Sequence, residues 1–87
     1  MAPRALTIKR TVVPQSGRQE YLARLRERKA YFARAKCNFW VVEEAGLPGA
    51  FLEFTEAPER AMLSAAHMAN PDPILDAARI YQEVELG

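Results

Sequence analysis

The chain reads as one small α+β domain of βαββαβ order that pairs with a copy of itself. Three observations predict this. Ala5 to Val13 is an alternating run rich in β-branched residues, Arg18 to Ala35 is a long stretch of strong helix formers, and Cys37–Glu44 and Ala50–Glu56 are two β-favouring runs around a turn-forming loop. At 87 residues, 49% hydrophobic and 26% charged, the sequence has the composition of a globular protein and room for one core, so 1–87 is expected to be a single domain.

In the first strand Leu6, Ile8 and Val12 alternate with Thr7, Lys9 and Thr11. Pro14, Ser16 and Gly17 break it, and Ser16 is placed to cap the helix that follows. That helix repeats Tyr21, Leu22, Leu25, Phe32 and Ala35 near helical spacing, with Arg28 and Lys29 interrupting the stripe. Ala45-Gly46-Leu47-Pro48-Gly49 then suits a hairpin. A five-residue loop sets Glu44 opposite Ala50, Val42 opposite Leu52 and Trp40 opposite Phe54. A second helix is expected from about Pro58 to Ala69, with Met62, Leu63 and Ala66 inward. Asn70-Pro71-Asp72-Pro73 stops it, Ile74 to Ala78 makes a short turn, and Arg79 to Leu86 alternates as a closing strand.

Right-handed crossovers place both helices on one face of a four-stranded antiparallel sheet. Leu6, Ile8, Trp40, Val42, Leu52, Phe54, Ile80 and Val84 are assigned to the covered face. The open face then carries Phe39, Val41 and Phe51 beside Lys9, Thr11, Glu53, Thr55, Tyr81 and Glu83, which is too aromatic to stay in water. A second copy is expected to cover it, closing a barrel from two sheets.

Charge is sharply divided. Up to Lys36, ten basic residues stand against Glu20 and Glu27, a net +8; from Cys37 onward the balance is −7. Either the halves interleave and neutralise each other within or between subunits, or the basic half meets nucleic acid. No RNP-like glycine and aromatic motif accompanies the arginines, so nucleic acid is disfavoured as a partner. The apolar runs are much shorter than the roughly 20 residues that span a bilayer, and no signal-like segment follows Met1, so a cytoplasmic protein without membrane association is expected. A single cysteine, Cys37, forms no disulfide within the chain and supports no thiolate zinc site.

Three segments resemble the dimeric α+β barrel superfamily, and within it the antibiotic-biosynthesis-monooxygenase-like proteins. They are the strand-to-helix entry from Thr7 to Leu22, the hairpin Asn38–Glu44 with Gly49–Phe54, and the helix end Ala65-Ala66-His67-Met68-Ala69-Asn70-Pro71. The resemblance implies a ferredoxin-like subunit, a homodimer and a cavity between sheet and helices that holds a small, often aromatic molecule. Some relatives oxygenate polyphenols without metal or flavin, some degrade haem, and many have no known activity. In oxygenating relatives a Trp often closes the third strand and a His lies in the second helix. His67 matches the latter, whereas Phe54 and Thr55 stand where the Trp is expected.

His67, the only imidazole, is the first candidate for a general base or haem ligand; the plainer reading is a structural histidine at the edge of the second helix's buried stripe. Glu53 is the second catalytic candidate: with Glu83 it is expected to share the open face with Lys9, where burial in a dimer would raise one carboxylate's proton affinity and suit it to proton abstraction, or else both form interfacial salt bridges with Lys9 or with arginines of the partner. Phe39, Phe51, Thr55 and Tyr81 on the open face are the expected ligand contacts. Trp40 and Phe54 read as a cross-strand core pair or a stacking platform, and Cys37 as a small core residue. No cofactor is expected, and no metal cluster, nucleophilic triad or phosphate loop is visible. Three functions follow: a small-molecule enzyme or binding protein, a structural or regulatory homodimer without catalysis, and, least, a nucleic-acid binder.

Overall fold

The computed structural model describes residues 3–70 and 79–87. Its elements are β1 (Ala5–Val12), a 3₁₀ turn (Gln15–Gly17), α1 (Arg18–Arg34), β2 (Asn38–Glu43), β3 (Ala50–Ala57), α2 (Arg60–Met68) and β4 (Tyr81–Gln82). The four strands form one antiparallel sheet in the order β2-β3-β1-β4 with both helices on one side, as a ferredoxin-like subunit requires. Among the described residues, no helix is long and apolar enough to cross a membrane.

The hairpin register is the expected one. Val42 faces Leu52, Trp40 faces Phe54, and the Glu44 N–H donates to the Ala50 carbonyl at 2.9 Å. Gly49 closes the loop in the left-handed region, φ 94°, and accepts a hydrogen bond from the Val13 N–H at 2.8 Å. Helix α1 starts differently from the expectation. Ser16 lies inside the 3₁₀ turn and caps nothing; Gly17 occupies the cap position without a side-chain bond. At its other end the Cys37 N–H donates to Phe32 O (2.8 Å) and the Lys36 N–H to Ala33 O (3.1 Å), with Lys36 at φ 62°. This is a Schellman stop made without glycine.

Helix α2 begins two residues later than Pro58 because β3 runs on to Ala57 and the extended Glu59 takes the cap position. The closing strand is much shorter than expected: only Tyr81 and Gln82 pair with β1, and Val84 and Leu86 are exposed. The expected turn at Ile74–Ala78 and the stop at Pro71–Pro73 lie outside the described residues.

Sheet sidedness is the main correction. The helices cover Phe39, Phe51, Glu53 and Thr55, all buried, while Ile8, Trp40 and Val42 stand exposed and Leu6, Leu52 and Phe54 half-exposed on the open side. Only Ile80 keeps its expected contact with the core. The core is therefore built from Tyr21, Leu25 and Phe32 of α1, Leu63 and Ala66 of α2, and Phe39 and Phe51 of the sheet. Phe32 and Leu63 are its fully buried centre. Polar residues enter this layer because the helices bring side chains that satisfy them, a condition without which their burial would be costly.

Ion pairs join the two halves of the sequence. Arg4 meets Glu56 and Glu83, Arg10 meets Glu44, Arg18 meets Glu43 and Arg28 meets Glu53. The charge division is thus partly neutralised inside one subunit. Arg18 and the Gly49 N–H together hold the Glu43 carboxyl down to about 2.

Candidate functional site

Alternation on β3 turns Phe51, Glu53 and Thr55 toward the helices, and on β1 it does the same for Thr7, Lys9 and Thr11. Tyr21 and Arg28 lie seven residues apart on α1, two turns along the face that meets the sheet. They converge on Glu53. The Tyr21 hydroxyl donates to Oε2 at 2.8 Å, and Arg28 forms an ion pair with Oε1. Both ionic side chains are sequestered, Arg28 with 9% and Glu53 with 2% of its side-chain surface exposed. Burial, and then the neighbouring carboxylate, push the Tyr21 phenol well above its ordinary value, so it stays protonated and donating.

This cluster forms one wall of a cleft of about 390 Å³ between β1 and α1. Lys9, Thr11 and Arg24 line the same space, with Val12, Val13 and Pro14 supplying apolar surface. Lys9 sits directly opposite Glu53 in the β1–β3 ladder.

His67 lies away from this cleft, where α2 crosses the sheet. Its Nε2 shares a hydrogen bond with Thr7 Oγ1 at 2.9 Å, its ring meets Phe32 edge-on at 5.0 Å, and its buried Nδ1 has no partner among the described residues. Burial, and secondarily the charge of Arg28, lower its proton affinity, so the ring is neutral at pH 7.

The remaining candidates separate. Phe51 tilts against Tyr21 at 4.9 Å within the core, and Phe39 stacks on Phe32 at 5.6 Å while also lining, with Trp40, Leu22 and Leu25, a second cleft of about 340 Å³ between β2 and α1. Thr55 is buried beside them on β3. Tyr81 is on the opposite face, opposite Leu6, where with Arg4 and Glu56 it borders a shallow hollow of about 250 Å³. The expected ligand set of Phe39, Phe51, Thr55 and Tyr81 is therefore not one surface. Nor does Glu53 share a face with Glu83, which pairs with Arg4 beyond the start of β1. Cys37 is a buried free thiol whose pKa burial raises, as a core residue should have. No three metal-ligating side chains converge among the described residues.

Tyr21, Arg28, Lys9, Thr11 and Arg24 were not singled out from the sequence as site residues. The seven-residue spacing of Tyr21 and Arg28 was the available signal, since it puts a phenol and a guanidinium on the helix face that must meet the sheet. Compared with protein-family models, curated proteins and solved structures, the chain finds no match.

Proposed function

We propose that the chain is a homodimeric α+β barrel protein of the antibiotic-biosynthesis-monooxygenase-like kind that binds a small aromatic molecule in the cleft between β1 and α1. The observation that carries the binding reading is the Tyr21–Glu53–Arg28 cluster on the cleft wall. A sequestered ion pair is a poor way to stabilise a fold compared with apolar packing, and polar groups converging at an otherwise partly apolar cleft are the usual make-up of a ligand site. Glu53 and His67 both have their near partners already, Glu53 at two oxygens and His67 at Nε2. That observation favours binding over proton transfer, and with it a non-catalytic, regulatory homodimer as the second reading.

Dimerisation is inferred from the open face. Covering Leu6, Ile8, Trp40, Val42, Leu52 and Phe54 at roughly 25 cal/mol per Å² contributes on the order of several kcal/mol per subunit. A two-fold axis parallel to the strands between two such sheets sets β2 of one subunit beside β4 of the other, which removes both free edges.

Titrating the protein with a panel of phenols and arene carboxylates, followed by amide shifts in NMR, tests the binding reading: shifts are expected at Lys9, Thr11 and Tyr21, and their absence with every compound removes it. Incubating the same panel under oxygen separates the two readings, because turnover would replace the regulatory one with catalysis.

A further inference from the structure

Among the described residues, the cleft holds a charge that its neighbours leave unanswered. Lys9 is half-buried on the interior side of β1, directly opposite Glu53, close enough for a cross-strand pair. Yet Tyr21 and Arg28 occupy one Glu53 oxygen each, and Lys9 forms no ion pair among the described residues. Arg24, one turn before Arg28 on α1, lines the same cleft and forms none either. Glu20 is the other carboxylate at this cleft and lies on the exposed side of α1. Among the described residues, three cations thus face two carboxylates, one of which is already held by Arg28. Thr11 lies two residues beyond Lys9 on the same face. Its buried hydroxyl oxygen makes no hydrogen bond among the described residues.

Resting on the cleft reading above, we propose that the ligand is a small arene carboxylate, its carboxylate held by Lys9 and Arg24 and its ring against Val12, Val13 and Pro14. The ammonium of a half-buried lysine is stabilised by an anion close by. The excess of a single positive charge fits one carboxylate rather than a dianion. At about 390 Å³ the cleft is near the small end of ligand pockets, which limits the occupant to about one ring with its substituents.

The test is calorimetric titration of the full chain with benzoate, 4-hydroxybenzoate, benzyl alcohol, phenol and inorganic phosphate, repeated on Lys9→Met and Arg24→Gln. Benzoate and 4-hydroxybenzoate are expected to bind, and Lys9→Met to weaken both at least tenfold. Arg24→Gln, at an exposed helix position, is expected to weaken them several-fold with no loss of fold by circular dichroism. Equal binding of benzyl alcohol or phenol, unchanged in the Lys9 variant, would overturn the carboxylate and leave the cleft standing. Binding of phosphate alone would overturn the arene, and benzoate binding indifferent to both variants would place it elsewhere. If none of the five binds, the cleft reading falls as well.

Discussion

Glu53 is held on the interior side of β3 as a charged group, with one oxygen given to the Tyr21 hydroxyl and the other to Arg28. Glu53→Gln takes the carboxylate charge from beside the buried Arg28 guanidinium and is expected to cost about 3 kcal/mol in urea unfolding. The double variant Arg28→Met/Glu53→Leu should recover most of that, because it removes both charges together. His67 gives a second residue-scale expectation. Its folded proton affinity lies below the ordinary imidazole value of 6.5, so below that pH the unfolded chain takes up a proton the folded one refuses. Stability is therefore complete above about pH 6.5 and declines as the pH falls below it. Glu83, Glu44 and Glu43, held by Arg4, Arg10 and Arg18, have folded pKa values lowered from 4.5 and lose their contribution only at more acid pH. Urea midpoints measured between pH 7.5 and 5.5 should fall in the native protein and stay nearly level in His67→Gln.

At the scale of elements, two backbone positions set how α1 and the hairpin end. Lys36 occupies a left-handed conformation that costs a side-chain-bearing residue about 1 kcal/mol. Lys36→Gly should recover about that much in thermal or urea unfolding. Gly49 is the converse: a methyl group there would lie 2.7 Å from the Val13 carbonyl oxygen in a backbone conformation already unfavourable to alanine. Gly49→Ala is expected to cost about 2 kcal/mol, whereas Gly46→Ala, with nothing near its added carbon, should be close to neutral. The first three strands and both helices were legible in the sequence to within a few residues because alternation and helical spacing are local, and the hairpin register because loop length fixes it; the closing strand was not, since only Tyr81 and Gln82 of the expected Arg79–Leu86 pair with β1. Which face the helices cover was not. Leu6, Ile8, Trp40 and Phe54 make the more apolar side, and a rule based on hydrophobicity alone buries it. On the other side Phe39 and Phe51 pack against Tyr21, Leu25, Phe32 and Leu63, and the polar residues between them are satisfied, Glu53 by Tyr21 and Arg28 and Thr7 by His67, partners that lie 25 to 60 residues away in sequence. The same distance hid the candidate site: Glu53 and His67 were legible as residue types, but their partners and their separation were not.

For the whole molecule, the split between a basic first half and an acidic second half resolves into ion pairs that bind the sheet to α1 and one end of β1 to the chain after β4. These contacts close the subunit but leave its most apolar sheet surface unshielded. The proposed dimer is expected to appear in sedimentation equilibrium as a two-subunit species at micromolar concentration. Trp40→Glu, which puts a charge on that surface, should shift the equilibrium to the single subunit without altering the helical signal in circular dichroism. A native chain that stays single at high micromolar concentration would remove the dimer.

Trp40 is the sole indole of the chain, stacked nearly parallel on Phe54 at 5.2 Å and still 40% exposed. Its fluorescence is accordingly a gauge that does not touch the cleft between β1 and α1. Dilution that separates two copies should redden the emission maximum, while a small molecule settling in that cleft should leave its colour almost unchanged, so a single cuvette can tell assembly from occupancy.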